Sequence, residues 1–474
     1  MVEHIEADIC VIGAGSGGLS VAAGASQMGA STVLFERDRM GGDCLNFGCV
    51  PSKALLVAAK AARQARGCGK CGVTAGDVTV DFPFVRAHLR SVIATIEPMD
   101  SVERFEGLGV RVIQADARFV GDREVEGGGI RVKARRVVVA TGSSAMVPPI
   151  PGLDTVPYLT NETIFDLEQA PEHLIVIGGG PIGIEMAHAF RGLGSQVTVV
   201  EMTTILNKDD PELVDIARRL LRDDGVDIRE GAGVVAVASK DEGVSVELEK
   251  GEVKEQITGS HIIVAAGRRA NVDGLDLEAA GIRTGRTGIE IDARLRTSNH
   301  KIFAIGDVAG PYQFTHMAGY QAGIVIRNAL FRLPAKAKYT AVPWVTYMDP
   351  ELAQVGMSET EARAAHGEIK VVRWPFAEND RAQADRSTDG LVKVITTAKG
   401  HILGVSILGP HAGELIQTWC LAIQEGLKIG AVASMIAPYP TLGEINKRVA
   451  GSYFTPQLFN ERVRGIVRFL AKLG

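Results

Sequence analysis

The same glycine pattern occurs twice in this chain. Each copy lies between two apolar runs, the second of which ends in glutamate. Ile9 to Ile12 leads into Gly13-Ala14-Gly15-Ser16-Gly17-Gly18, and Thr32 to Phe35 ends at Glu36, 18 residues after Gly18. Leu174 to Ile177 leads into Gly178-Gly179-Gly180-Pro181-Ile182-Gly183, and Gln196 to Val200 ends at Glu201, again 18 residues after the last glycine. A lone G-x-G-x-x-G carries little weight. With a strand-like run before it and an acid at this offset, it specifies a dinucleotide-binding βαβ unit. The glycines allow the tight turn and the approach of a pyrophosphate to a helix N-terminus, and the acid meets a ribose hydroxyl. A second pair of echoes is Val137-Val138-Val139-Ala140-Thr141-Gly142 and Ile262-Ile263-Val264-Ala265-Ala266-Gly267. The pattern predicts two similar α/β domains, one inserted in the other. Two sites imply two dinucleotides.

Close behind the first unit comes Gly41-Gly42-Asp43-Cys44-Leu45-Asn46-Phe47-Gly48-Cys49-Val50-Pro51-Ser52-Lys53, followed by a helix-forming run from Lys53 to Arg66. Four residues separate the cysteines, and no second Cys/His pair with knuckle spacing follows, so a zinc site is not expected. Gly48 is expected to kink the backbone so that Cys44 and Cys49 face one another. Cys49 is expected just before the helix N-terminus, where the dipole and open N–H groups stabilise a thiolate. Beside two nucleotide sites, the pair reads as a redox disulfide rather than two buried structural cysteines.

This stretch resembles the redox-active segment of the FAD-dependent pyridine nucleotide–disulfide oxidoreductases, the family of dihydrolipoamide dehydrogenase, glutathione reductase and mercuric reductase. The resemblance runs from Ile9 to about Phe459. It implies an α/β fold with two Rossmann-type dinucleotide-binding domains, for FAD and NAD, and a C-terminal α+β dimerisation domain. The expected division is 1–150 for the first part of the FAD domain, 151–270 for the NAD(P) domain, 271–342 for the second part of the FAD (central) domain, and 343–474 for the dimerisation domain. Thr297 to Asp307 resembles the second flavin motif, which places Gly306 and Asp307 at the ribityl chain; alone, Gly306-Asp307 reads as a turn.

The resemblance then implies roles. Gly13, Gly15, Gly18, Glu36, Gly42, Lys53, Thr141, Gly142, Gly306 and Asp307 would hold FAD. Gly178, Gly180, Gly183, Glu201 and Gly267 would hold NAD(H). Cys49 would be the sulfur beside the flavin and Cys44 the outer sulfur that meets substrate. Lys53 would sit near the reactive flavin nitrogen and pair with Glu185; the bland alternative for both is a solvated surface charge. A carboxylate at Glu201 repels a 2′-phosphate, and Met202 to Lys208 contains no arginine and one lysine, which favours NADH. Pro181 stands where the family has an aromatic gate.

One departure bears on substrate. Disulfide-reducing members carry His-x-His-Pro-Thr-x-x-Glu, with a histidine as general base, supplied by the partner subunit. Here the stretch is Ala437-Pro438-Tyr439-Pro440-Thr441-Leu442-Gly443-Glu444. A phenol of pKa about 10 is a poor base at neutral pH beside an imidazole of about 6.5. Mercuric reductase also has tyrosine here, but Phe469 to Gly474 contains no counterpart of its vicinal C-terminal cysteines, and its N-terminal metal-binding domain is not expected here. The combination is closest to a tyrosine-bearing, mercuric-reductase-like subgroup.

Composition sets the remaining bounds. The 474 residues are enough for about three domains. A net charge of −5 without long single-sign blocks argues against nucleic acid. No apolar run reaches the roughly 18 residues of a membrane span. The acidic start reads as cytoplasmic, and six cysteines in this length are no secretory framework. Cys68-Gly69-Lys70-Cys71 is open to three readings: bland thiols, an accessory redox pair, or metal ligands. His316 reads as a helix-entry histidine or a flavin contact, and Cys10 and Cys420 as core. Hairpins are expected at 121–129 and 241–255, strands at 391–396 and 402–407, and a helix over 413–425. The expected activity is that of an FAD-dependent NAD(P)H oxidoreductase, passing electrons through Cys44 and Cys49 to a thiol, disulfide or soft-metal substrate in a homodimer with shared sites. The rivals are dihydrolipoamide dehydrogenase, mercuric reductase and a redox-sensing flavoprotein with little turnover.

Overall fold

The computed structural model describes residues 2–241 and 243–473. The chain forms two compact units. The first holds the residues up to Ala61, Thr79–Met202 and Gly231–Lys338; the second holds Ala62–Val78, Thr203–Glu230 and the chain from Tyr339 onward.

The first unit is built on β1 (Glu3–Ile12), α1 (Ser16–Gln27), β2 (Thr32–Glu36), α2 (Gly42–Asn46), α3 (Cys49–Gly67, which runs on into the second unit), β3 (Val110–Gln114), β4 (Arg118–Gly121), β5 (Glu124–Gly127) and β6 (Ile130–Val139). The strand order is β3-β2-β1-β6-β5-β4, and Ile302–Ala304 pairs parallel to the end of β6. β1, β2, β3 and β6 run parallel, as sequence runs buried on both faces should. Ile9, Val11, Leu34 and Val138 fill one face, and Cys10, Val33, Val137 and Val139 the other. Three motif turns therefore leave the same carboxyl edge: Gly13 after β1, Thr141-Gly142 after β6, and Gly306-Asp307 after Ile302–Ala304. That edge is where open α/β sheets bind ligands.

The second glycine unit repeats this geometry. His173–Ile177 lies between Gln196–Glu201 and His261–Val264, all parallel. The repeat extends to single hydrogen bonds. Gly13 N–H donates to Phe35 O at 2.8 Å, and Gly178 N–H to Val200 O at 2.9 Å. Ala140 N–H donates to Ile12 O and Ala265 N–H to Ile177 O, both at 2.8 Å. An antiparallel meander of Gly233–Lys240, Gly243–Lys250 and Val253–Gly259 covers this sheet. The hairpin expected over 241–255 is present, with Glu242 outside the described residues; the one expected over 121–129 is β4–β5–β6.

The second unit holds a five-stranded antiparallel sheet in the order Pro343–Thr346, Glu351–Gly356, Ile402–Gly409, Leu391–Thr397, Ile369–Pro375. Trp419, Ile445 and Val449 pack on it. The single helix expected over 413–425 is two, Ala412–Leu415 and Gln417–Gln424. The buried Asn446 amide donates to Leu415 O at 2.9 Å, so that carbonyl is satisfied from outside the helix. Lys393, almost fully buried, joins Asp210, Glu359 and Glu212 at 2.8, 2.9 and 3.2 Å. Those bonds fasten the segment 203–230 to the C-terminal sheet.

Candidate active site

The cysteine segment is tied to the first glycine turn by its own glycines. Gly41 and Gly42 have φ of 86° and 58°, the left-handed region that glycine enters without strain. A Cβ on Gly42 would come within 2.7 Å of Gly15 Cα. Gly41 N–H donates to Ala14 O at 3.0 Å, and the Asn46 amide donates to Met40 O and Gly42 O. A left-handed turn at Gly41-Gly42 thus precedes α2, and the bend that separates α2 from α3 falls at Phe47-Gly48, where the sequence places it. Gly48 also answers a steric need: a Cβ there would meet Asp43 Oδ2 at 2.9 Å. Cys49 is not ahead of the helix; it is the first residue of α3, with Cys44 inside α2.

Both cysteines are free thiols and they share a hydrogen bond. Cys49 Sγ lies 3.4 Å from Thr315 Oγ1. One turn along α3, Lys53 Nζ pairs with Glu185 Oε2 at 2.9 Å; Glu185 is buried and the lysine half-buried. These partners separate the two sulfurs. The Cys44 S–H, then the Thr315 hydroxyl and the Lys53 cation, lower the Cys49 thiol to about 6, against burial and the Glu185 charge. Donating that bond pushes Cys44 up, helped by burial and by the charges of Cys49 and Asp43. In the dithiol, Cys49 is the thiolate and Cys44 keeps its proton.

Asp43 connects this pair to the second flavin motif. Its Oδ1 accepts from the buried Asn161 amide at 2.9 Å and lies 3.1 Å from Arg268 Nη2. Arg268 Nε donates to Ser143 Oγ at 2.7 Å, and Ser143 donates to Asp307 Oδ2 at 2.6 Å. Burial raises the Asp307 carboxyl, while Ser143 and Arg268 hold it down. Gly306 N–H donates to the buried Gln321 at 2.7 Å. Thr141 and Asn271 bond reciprocally, side chain to carbonyl in each direction, which fixes the Thr141-Gly142 turn.

The glycine turns divide into two kinds. A Cβ on Gly13 would meet Ala140 O at 2.5 Å, and one on Gly18 would overlap Gly13 O; Gly178 and Gly183 have the same clashes, with Ala265 O and Gly178 O. Those four permit close backbone packing. Gly15 and Gly180 face nothing within 4 Å. They are the positions where a side chain would fill the space in front of a helix whose N-cap makes no side-chain bond. Glu36 accepts from Ala14 N–H at 2.7 Å and Glu201 from Gly179 N–H at 2.8 Å, which aims each carboxylate at its turn. Gly267, with φ of 129°, leads from the second glycine unit into Arg268.

Tyr439 and Glu444 belong to the second compact unit. Tyr439 is 67% exposed and donates from its hydroxyl to Asp380 Oδ2 at 3.0 Å. That bond, and then the Asp380 charge, hold the phenol above its usual range. Glu444 is taken by Arg448, at 2.9 Å. Within the chain the phenol is therefore oriented by Asp380.

Comparison with known proteins gives a consistent result. Residues 7–322 match the model of the pyridine nucleotide-disulphide oxidoreductases, and 342–450 match the dimerisation domain of the same group. The chain belongs to this family. It is 35% identical to a mercuric reductase of Streptomyces lividans over 462 residues, covering 95% of this chain and 97% of that one. A dihydrolipoyl dehydrogenase of Geobacillus stearothermophilus is also 35% identical, over 94% of this chain and 96% of that one. A solved Cu(II) complex of RclA, an HOCl-induced flavoprotein disulfide reductase of Escherichia coli, superposes with a TM-score of 0.85 at 27% identity, covering 94% and 99%. The α/β fold with a C-terminal dimerisation domain agrees with the sequence expectation.

Family membership implies FAD and NAD(P)H. The residues fit both groups: two uncapped helix starts with open space at Gly15 and Gly180, each with a carboxylate held beside it. Sequence reasoning missed Ser143, Arg268 and Thr315, although each directly follows or closely trails a motif it named. Asn161 and Asp380 carry no local signal and are found only by folding the chain. His316 is a helix-entry residue, its ring stacked on Phe314 at 5.2 Å. Cys10 is core, and Cys420 is raised by burial to about 11. Cys68–Cys71 forms one 3-10 turn, with Cys68 Sγ donating to Ala65 O at 3.0 Å. Among the described residues no helix is long and apolar enough to cross a membrane, and no cluster of three or more metal-ligating side chains occurs.

Proposed function

We propose that this chain is an NADH-dependent member of the family that reduces a disulfide, thiol-bound or soft-metal substrate through Cys44, working as a homodimer. The observation that carries the reading is the asymmetric sulfur pair: Cys49 stabilised as thiolate beside Lys53–Glu185, and Cys44 kept protonated. Bound FAD and nicotinamide would supply the two electrons that open the disulfide. The chain's own residues do the rest. Lys53 and Thr315 hold Cys49 as thiolate. Cys44, once it loses its proton, attacks a substrate disulfide and releases one substrate thiolate. Cys49 then attacks Cys44 Sγ, expels the second substrate thiolate and closes the Cys44–Cys49 disulfide. On this reading Glu36, Asp307, Thr141 and Gly42 serve the FAD side, and Glu201 and Gly267 the nicotinamide side. The sequence-read division into 1–150, 151–270, 271–342 and 343–474 is retained.

Tyr439 bears on the substrate. A phenol held above its usual range by its bond to Asp380 donates a hydrogen bond but does not take the thiol proton of dihydrolipoamide at neutral pH. That disfavours dihydrolipoamide and leaves the chain nearer the tyrosine-bearing, mercuric-reductase-like group. A soft metal that binds thiolate directly needs no such base, and the mercuric reductases and the Cu(II)-bound RclA among the similar proteins point the same way. The test is steady-state turnover with NADH and NADPH against lipoamide, low-molecular-weight disulfides, Hg(II), Cu(II) and quinones. The proposal expects NADH to exceed NADPH about tenfold in kcat/KM, which is about 1.4 kcal/mol. It also expects a metal or small disulfide to exceed lipoamide. Equal use of the two nicotinamides, or lipoamide as the best acceptor, overturns it.

A further inference from the structure

The helix Glu461–Leu470 lies beyond the 342–450 stretch that matches the dimerisation domain, and none of its residues is buried. It is nonetheless well specified, since Asn460 caps it by accepting from Val463 N–H at 3.1 Å. Val463, Ile466, Val467 and Leu470 fall at i, i+3, i+4 and i+7, one continuous face, and Leu473 extends it. Ile466, Val467, Leu470 and Leu473 are 50–70% exposed. Arg464 and Arg468 lie on the other side of the helix, with Arg462 at the flank and Lys472 just past its end. The acid of this helix, Glu461, pairs with Arg464 and Arg468 at 2.8 and 3.3 Å and leaves a cationic excess, in a chain whose net charge is −5.

We propose that this helix docks the protein on an anionic lipid surface, lying in the plane of the headgroups with its apolar face in the acyl boundary. Charge decides among possible occupants. Phosphate headgroups complement Arg462, Arg464, Arg468 and Lys472 in a chain that is otherwise acidic, and a second copy offers no such anionic partner. An apolar stripe framed by arginine and lysine is the pattern of interfacial helices, and a helix this short and charged does not span. The inference is independent of the substrate assigned to Cys44.

The experiment is flotation of the full chain with vesicles of phosphatidylcholine alone or mixed with phosphatidylglycerol. Binding is expected only with the anionic vesicles and should weaken as salt rises. Arg464→Gln and Arg468→Gln should each lower affinity about fivefold. Ile466→Asp with Leu470→Asp should lower it by about tenfold or more, with flavin content and helicity unchanged. Absence of flotation by the unmodified protein, or equal binding to uncharged vesicles, overturns the proposal. So does a finding that the double aspartate variant splits a dimer while vesicle binding persists, because the face would then belong to a second copy.

Discussion

On the proposed reading, Cys44→Ser leaves Cys49 as the single sulfur beside bound FAD and keeps a hydroxyl where the donating thiol stood. Its thiolate can then be titrated without reductant, by its long-wavelength absorbance with bound FAD. In the dithiol, Cys49 is lowered from 9.0 to about 6. At about 1.36 kcal/mol per pKa, that is at most on the order of 4 kcal/mol in favour of the thiolate. The figure is discounted because Cys49 is exposed and water screens its partners. The first contribution is the neighbouring donor at position 44, the second the Thr315 hydroxyl, the third Lys53. Replacing Thr315 by valine removes a donor 3.4 Å from the sulfur. A long bond of that kind to an anion is worth about 1 kcal/mol, so the midpoint should rise by somewhat less than one. Cys44→Ala should raise it more, because it removes the largest contribution. Lys53→Met should raise it least, because that cation is half-exposed and shared with Glu185. The sign follows from the lowered pKa: the band is present above the midpoint and fades as pH falls through it. If Cys44→Ala titrates with Cys44→Ser, or if Thr315→Val leaves the midpoint unmoved, this account of the sulfur pair is wrong.

Three further outcomes are expected. Arg268→Met should loosen FAD, because it leaves Asp43 and the half-buried Asp307 without their shared cation; breaking a buried pair costs about 3–5 kcal/mol, discounted here because both carboxylates are partly exposed. Equilibrium flavin release reads this, and unchanged retention counts against the Asp43–Arg268–Ser143–Asp307 chain. Lipoamide turnover should be about a hundredfold below that of a histidine-bearing relative. Tyr439→Phe should leave that small activity unchanged and Tyr439→His should raise it, with Asp380 already placed to orient an imidazole; a fast unmodified enzyme contradicts the argument. Cys49→Ser should abolish the long-wavelength band that Cys44→Ser retains, and the opposite result exchanges the inner and outer sulfurs.

Much of this site is legible because it is written in local, periodic patterns. Strand, glycine turn, helix and terminal acid form one continuous segment at Gly13–Glu36 and again at Gly178–Glu201, so spacing alone identifies both cradles. Lys53 and Glu185 lie far apart in sequence and are paired through the family resemblance, and the fold brings them to 2.9 Å. Other features have no local trace. The left-handed turn at Gly41-Gly42 lies against Gly15, which only the folded sheet edge decides. Arg268 bridges two carboxylates from separate segments. Asp380 reaches Tyr439 across 59 residues of sequence. At the break after Leu415 the carbonyl is met by Asn446, 31 residues away. Periodicity reports which face a residue occupies, and it does not report which distant side chain meets it there.

The central claim is that electrons from nicotinamide leave through Cys44 and Cys49. The most direct measurement is anaerobic titration of the oxidised protein with NADH, quenched with an alkylating agent and read by mass spectrometry at each cysteine. The account predicts that Cys44 and Cys49 are protected before NADH and that both become alkylated after one equivalent, while Cys68, Cys71 and Cys420 do not change. Reduction of the flavin with no gain in labelling at Cys44 and Cys49 would contradict it.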